Sequence, residues 1–129
     1  VGAHALAHHA RPRATKDLDV LIDATSANAR RVLKAMESFL EGRLGYAVEG
    51  LTDPEWHVQL GVAPVRVDIL TSLPGCPSFA SLWRKRIPAR FGVATANYLS
   101  LQHLIQSKEA AGRPQDLADL HILKKVQAR

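Results

Sequence analysis

Two short runs, DLDVLI at 17–22 and PVRVDIL at 64–70, alternate apolar with charged residues. Successive side chains of a β-strand point to opposite faces, so a period of two marks a strand buried on one side. In the first run Leu18, Val20 and Ile22 fall on one face and Asp17, Asp19 and Leu21 on the other. In the second, Val65, Val67 and Ile69 alternate with Arg66 and Asp68. Asp is disfavoured in strands, and an ionised group placed in mid-strand needs a partner or a metal. Any fold this chain adopts must therefore bring a compensating charge to the polar face of its sheet.

The remaining elements arrange themselves around these strands. GAHALAHHA is alanine-rich without strand alternation and predicts a short helix after Gly2, ended by the Arg11–Arg13 turn with Pro12. TSANARRVLKAMESFLEGRLG predicts a helix capped by Thr25 or Ser26, with Val32, Leu33, Met36, Phe39 and Leu40 on its apolar face, stopped at Gly42 or Gly45. WHVQL at 56–60 pairs with PVRVDIL as a hairpin through Gly61, Val62 and Ala63. A short helix in SFASLWRKR and a strand around Phe91–Ala96 follow the LPGCP turn. In LSLQHLIQSKEAA the apolar face runs Leu101, Leu104 and Ile105, and Lys108 continues it. Gly112 closes that helix, Pro114 opens another, and Leu117, Leu120 and Leu123 form the latter's expected buried side. Without repeat or linker, 129 residues predict one α+β (α/β) domain over 1–129, a mixed sheet flanked by helices with two helices at the C-terminus.

Composition narrows the setting. The lone Cys76 forms no internal disulfide, and no Cys and His spacing matches structural zinc. No apolar run approaches the ~20 residues of a membrane span, and no signal-peptide pattern opens the chain, so a soluble, cytoplasmic protein without a membrane partner is expected. The formal charge of +5 permits a polyanionic partner such as RNA or a nucleotide. Basic residues gather at Arg11–Lys16, Arg84–Arg90 and Lys124–Arg129, and the first group alone adjoins acidic residues able to do chemistry.

Asp17, Asp19 and Asp68 are the residues most suited to chemistry. Carboxylates at i and i+2 of one strand, joined by a third from a neighbour, can hold divalent ions for displacement at phosphorus. The bland alternative has each Asp capping a loop or pairing with Arg13 or Lys16, and Asp68 pairing with Arg66 or Arg84. His4 and His8, at i and i+4 of a helix, have no metalloprotease context and read as helix-surface or packing residues. Trp56 and Trp83 read as core or interface residues rather than base-stacking platforms, since no aromatic series accompanies them, and neither Ser72 nor Ser78 has the partners of a nucleophile.

In order, GAHA, RATKDLDVLI, RVDIL and SKEAAGRPQDLADL resemble the nucleotidyltransferase superfamily with the polymerase β type of fold. Within it the chain looks closest to the small bacterial branch that includes the abortive-infection nucleotidyltransferase toxins. The resemblance implies transfer of a nucleotide from an NTP to an acceptor hydroxyl on tRNA, a protein or a small molecule, with Mg²⁺ or Mn²⁺ as cofactor. Asp17, Asp19 and Asp68 would bind metal, Asp68 also standing where it could act as base. Gly2 would let the backbone approach the triphosphate, with Arg13, Thr15 and Lys16 beside it. Lys108 would reach the nucleotide or brace the site, and Arg113, Asp116 and Asp119 match a late motif. Ala3 replaces the second Gly or Ser of the family turn, HHARPRATK lengthens the gap to Asp17, and the strand expected before Gly2 is missing. A fragment, or a cleft completed by a second copy or a cognate protein, is the corresponding expectation. An inactive binding module or antitoxin-like partner is the alternative.

Overall fold

The computed structural model describes residues 1–12, 17–40, 51–53, 57–62 and 65–129. In chain order these form α1 (Gly2–His9), β1 (Asp17–Leu21), α2 (Ser26–Leu40), β2 (His57–Val62), β3 (Val65–Leu70), α3 (Phe79–Arg84), β4 (Ile87–Phe91), β5 (Ala94–Tyr98), α4 (Leu101–Ala111) and α5 (Pro114–Gln127). The expected α+β mixture is the observed one. Among the described residues, no helix is long and apolar enough to cross a membrane.

Three strands form a mixed sheet in the order β1-β3-β2, with β1 parallel and β2 antiparallel to β3. A parallel neighbour cannot be reached by a tight turn, and here the chain between β1 and β3 carries α2 and β2. The alternation then sorts side chains as the period of two requires. Val20, Val58, Leu60, Val67 and Ile69 share one core with Ala29, Val32 and Met36 of α2. On the opposite side Leu6, Leu99, Leu104, Ile105, Leu120 and Leu123 build a second core from α1, α4 and α5, against which Leu21 packs. The polar face of β1 and β3 lies on that second side.

Caps end the helices where the sequence predicts. Thr25 Oγ1 accepts from the Asn28 amide at 3.3 Å. A cap not named from the sequence, Ser100 Oγ, accepts from the His103 amide at 3.2 Å. Gly112 closes α4 in the left-handed region at φ 62°. The expected stops at Gly42 or Gly45 lie outside the described residues, as does Ala63, while Gly61 and Val62, expected in the hairpin turn, are strand residues of β2 paired with Arg66 and Val65.

Three further expectations are corrected. Instead of one strand at 91–96, β4 and β5 form a separate two-stranded hairpin turning at Gly92 and Val93, with Gly92 at φ 62°. A two-residue turn needs positive φ, which glycine supplies, so the residues read as a strand contain the turn itself. On α5 the inward face is Asp116, Asp119, Leu120 and Leu123, spaced i, i+3, i+4, i+7, and Leu117 is 54% exposed. Two buried carboxylates rotate that helix away from its purely apolar stripe. Phe39 is also exposed, off the α2 face that meets the sheet.

Leu123 is completely buried, so Leu123→Ala should cost about 2–5 kcal/mol. Leu117→Ala should stay within about 0.5 kcal/mol. Urea denaturation of the two variants measures the rotation of α5 directly.

Candidate functional site

Strand register sets the site. Parallel pairing places Asp17 opposite Arg66 and Asp19 opposite Asp68. The first pair closes on itself: Arg66 Nε and Nη2 donate to the two Asp17 oxygens, each at 2.6 Å. The second pair is two carboxyl groups. Burial pushes the Asp19 carboxyl above its ordinary value, and the charge and hydrogen-bond contact of Asp68 push it further. Among the described residues Asp68 Oδ1 is buried and has no hydrogen-bond partner.

Gly2 meets this pair from the start of α1. It has φ 64°, and a Cβ built on it would overlap the Asp19 carboxylate. Only glycine fits there for both reasons. The backbone at the start of α1 therefore comes closer to Asp19 than any other residue type would allow.

From the opposite side α4 and α5 contribute a buried ion cluster. Lys108 Nζ lies 2.9 Å from Asp119 Oδ2 and 3.3 Å from Asp116 Oδ1. Asp116 Oδ2 also accepts from the Arg113 backbone amide at 3.1 Å and from its Nε at 2.7 Å. Burial alone would raise the Asp116 carboxyl, but the bonds from Arg113 and Lys108 outweigh it and hold the group below its ordinary value. Lys108 thus braces the turn between α4 and α5.

Gly2, Asp17, Asp19, Asp68, Lys108, Arg113 and Asp116 all line one cleft of about 940 Å³. Asp119 holds Lys108 from behind, and Arg13, Thr15 and Lys16 lie outside the described residues. His57, Ser72 and Gln115 share the lining and were not expected there. The position of His57 could have been found from the hairpin register, which sets it opposite Leu70 at the cleft end of β3. His4 stands edge-on to Phe91 and His8 stacks on Tyr98, both aromatic contacts in keeping with packing roles.

Among the described residues no three His, Cys, Asp or Glu side chains are grouped to hold a metal. The donor set is the Asp19 and Asp68 pair, and Mg²⁺ is commonly held by one or two carboxylates with substrate phosphates supplying further oxygens. Two carboxylates in contact, one oxygen without a partner, suit a small divalent cation. No protein-family model matches the chain, and no curated protein matches it.

Lys108→Met would leave Asp119 buried without its cation, and a loss of about 3–5 kcal/mol in urea denaturation is expected. Asp116 has a folded pKa below its unfolded value near 3.8, so its contribution is present above that pH. It is lost as pH falls through the lower folded value. Acid titration of stability should therefore steepen below pH ~4, and Asp116→Asn should flatten that limb.

Proposed function

We propose that the chain is a metal-dependent nucleotidyltransferase, which moves a nucleotide from an NTP to an acceptor hydroxyl and releases pyrophosphate. The observation that carries the reading is the Asp19–Asp68 pair at one register position, with an unpartnered buried oxygen on Asp68 and the Gly2 backbone against Asp19. The resemblance of GAHA, DLDVLI, RVDIL and RPQDLADL to polymerase β type nucleotidyltransferases supports it. Asp19 and Asp68 would hold Mg²⁺ or Mn²⁺, which when bound neutralises phosphate charge and polarises the phosphorus centre.

The chain's own residues have separate roles in this reading. Asp68 Oδ1, without a hydrogen-bond partner among the described residues, would either bind the metal nearer the acceptor hydroxyl or receive that hydroxyl's proton. Gly2 and Ala3 line the cleft at the start of α1, where backbone amides can face an anion. The guanidinium of Arg113 is largely exposed at the opposite wall and offers a cation to the phosphates. Asp17, held by Arg66, fixes the register that sets Asp19 against Asp68. Catalysis then comes from positioning and charge neutralisation, without a covalent intermediate.

Incubating the protein with Mg²⁺, each labelled NTP in turn and total RNA or cell lysate tests the reading. Label should pass to a macromolecule, and Asp19→Ala and Asp68→Ala should each reduce transfer at least ~100-fold while keeping the fold. Undiminished transfer in either variant would overturn it. Mg²⁺ with the preferred NTP should also raise the melting temperature, by the equivalent of about 2.7 kcal/mol at 100 times Kd.

One observation favours a second reading, an inactive binding module with the same fold. Asp17 is tied bidentately to Arg66 instead of facing a metal, so two carboxylates remain for one. No change in melting temperature with any NTP and Mg²⁺ or Mn²⁺ would select it.

A further inference from the structure

Asp19 and Val1, which border the cleft, also line a second space of about 320 Å³. Its walls are aromatic. Phe79 and Trp83 of α3 stack with centroids 5.8 Å apart, and the Arg86 guanidinium lies 3.9 Å over the Trp83 ring. His4 and Phe91, themselves in edge-on contact, line the same space. Arg86 Nη1 donates to the Trp83 carbonyl at 2.8 Å, while its Nε is buried without a partner among the described residues. The volume lies at the low end for small-molecule pockets, about 300–1,000 Å³, and suits a single flat ring system.

The segments that supply this pocket's aromatic lining are apolar and basic together. Trp83 is 42% exposed and Phe91 39%, and Val93, two residues on, is fully exposed. Arg84, Lys85 and Arg90, sequence neighbours of the lining residues Trp83, Arg86 and Phe91, are exposed as well. Residues 69–108 contain no Asp or Glu, so no acidic neighbour within that stretch neutralises these cations. Flat π surfaces interleaved with unneutralised cations are what a single-stranded polynucleotide requires: bases stack on aromatic rings and guanidinium planes, and phosphates meet the basic side chains. A duplex keeps its bases paired and could offer none to so small a pocket.

We infer that α3 and the β4–β5 hairpin form a binding surface for single-stranded nucleic acid, whose terminal base enters the aromatic pocket beside Asp19. As an acceptor site this rests on the nucleotidyltransferase reading, since it would bring a terminal hydroxyl to the Asp19–Asp68 pair. As a binding surface it stands apart from that reading, and it is tested without NTP or metal.

The test is fluorescence anisotropy of the intact chain with end-labelled ten-nucleotide RNA and DNA single strands, the matching duplex and a glutamate decamer. Single strands should bind most tightly, and comparing RNA with DNA shows which sugar is accepted. Trp83→Ala should weaken binding about 5- to 150-fold, the usual range for loss of one stacked base. Phe91→Ser, at a partly exposed position, should weaken it in the same direction and serves if the first variant fails to fold. Replacing Arg84, Lys85 and Arg90 together by Gln should reduce the slope of log Kobs against log salt by about 2, near 0.7 for each phosphate contact. Unchanged affinity and salt slope in these variants, equal binding of duplex, or equal binding of the glutamate peptide would overturn the inference. Transfer to a small acceptor by a protein that binds no oligonucleotide would sink this inference and leave the enzymatic reading standing. Oligonucleotide binding that depends on Trp83, with no transfer from any NTP, would do the reverse.

Discussion

The parallel pairing of β1 with β3 is the constraint on which the rest of the site depends. One register does two things. It sets Arg66 opposite Asp17, a bidentate pair at 2.6 Å that favours this alignment, and it forces Asp19 opposite Asp68, a like-charge pair that disfavours it. A slip by one residue would turn Val20 and Ile69 out of their core and bring the aspartates into it. Apolar burial on one face thus holds an electrostatic conflict in place on the other. Such a conflict is relieved by a shared proton or by a cation, and Asp68 Oδ1 is the atom with unused capacity for either.

The ion cluster on α4 and α5 obeys the opposite logic, because there every charge is answered. Lys108 lies between Asp116 and Asp119, and Arg113 completes the coordination of Asp116 from outside. An ion pair this deep adds little net stability over a well-packed apolar substitute, but losing one member is costly, so its effect is to specify geometry. It fixes the angle at which α5 leaves Gly112 and keeps Arg113 at the cleft. Two motifs that look alike in sequence, an Asp pair near a Lys or Arg, therefore end in different states. The C-terminal carboxylates are satisfied, whereas Asp19 and Asp68 face each other.

Much of this was legible in the sequence, and the parts that were not share a cause. Alternation in DLDVLI and PVRVDIL identified β1, β3 and the face that carries Asp17, Asp19 and Asp68, because period-two patterns are local and strong. Thr25, Gly112 and Pro114 mark helix ends through equally local chemistry. The face of α5 differs from its apolar pattern because Leu117 is exposed while Asp116 and Asp119 join Leu120 and Leu123 inside. Only the position of Lys108 on a different helix makes burying the two carboxylates favourable. The β4–β5 hairpin was missed because neither strand buries a full alternating face, and its strongest signal, Gly92, lay inside the segment read as a strand. Whether Asp17 would bind metal or a cation was likewise undecidable without the register that brings Arg66 to it.

Asp19 gives these observations a common centre, since among the carboxylates of the described residues it alone borders both the polar cleft and the aromatic pocket. The two spaces differ in chemistry. The first offers Gly2, Arg113 and the Lys108 cluster, and the second offers rings and a guanidinium stacked on one of them. A group-transfer enzyme needs this separation, because donor and acceptor must approach one reacting centre from different directions and be recognised by different means. The transfer reading proposed above rests on this shared wall, because donor and acceptor would then reach one carboxylate from two differently lined spaces.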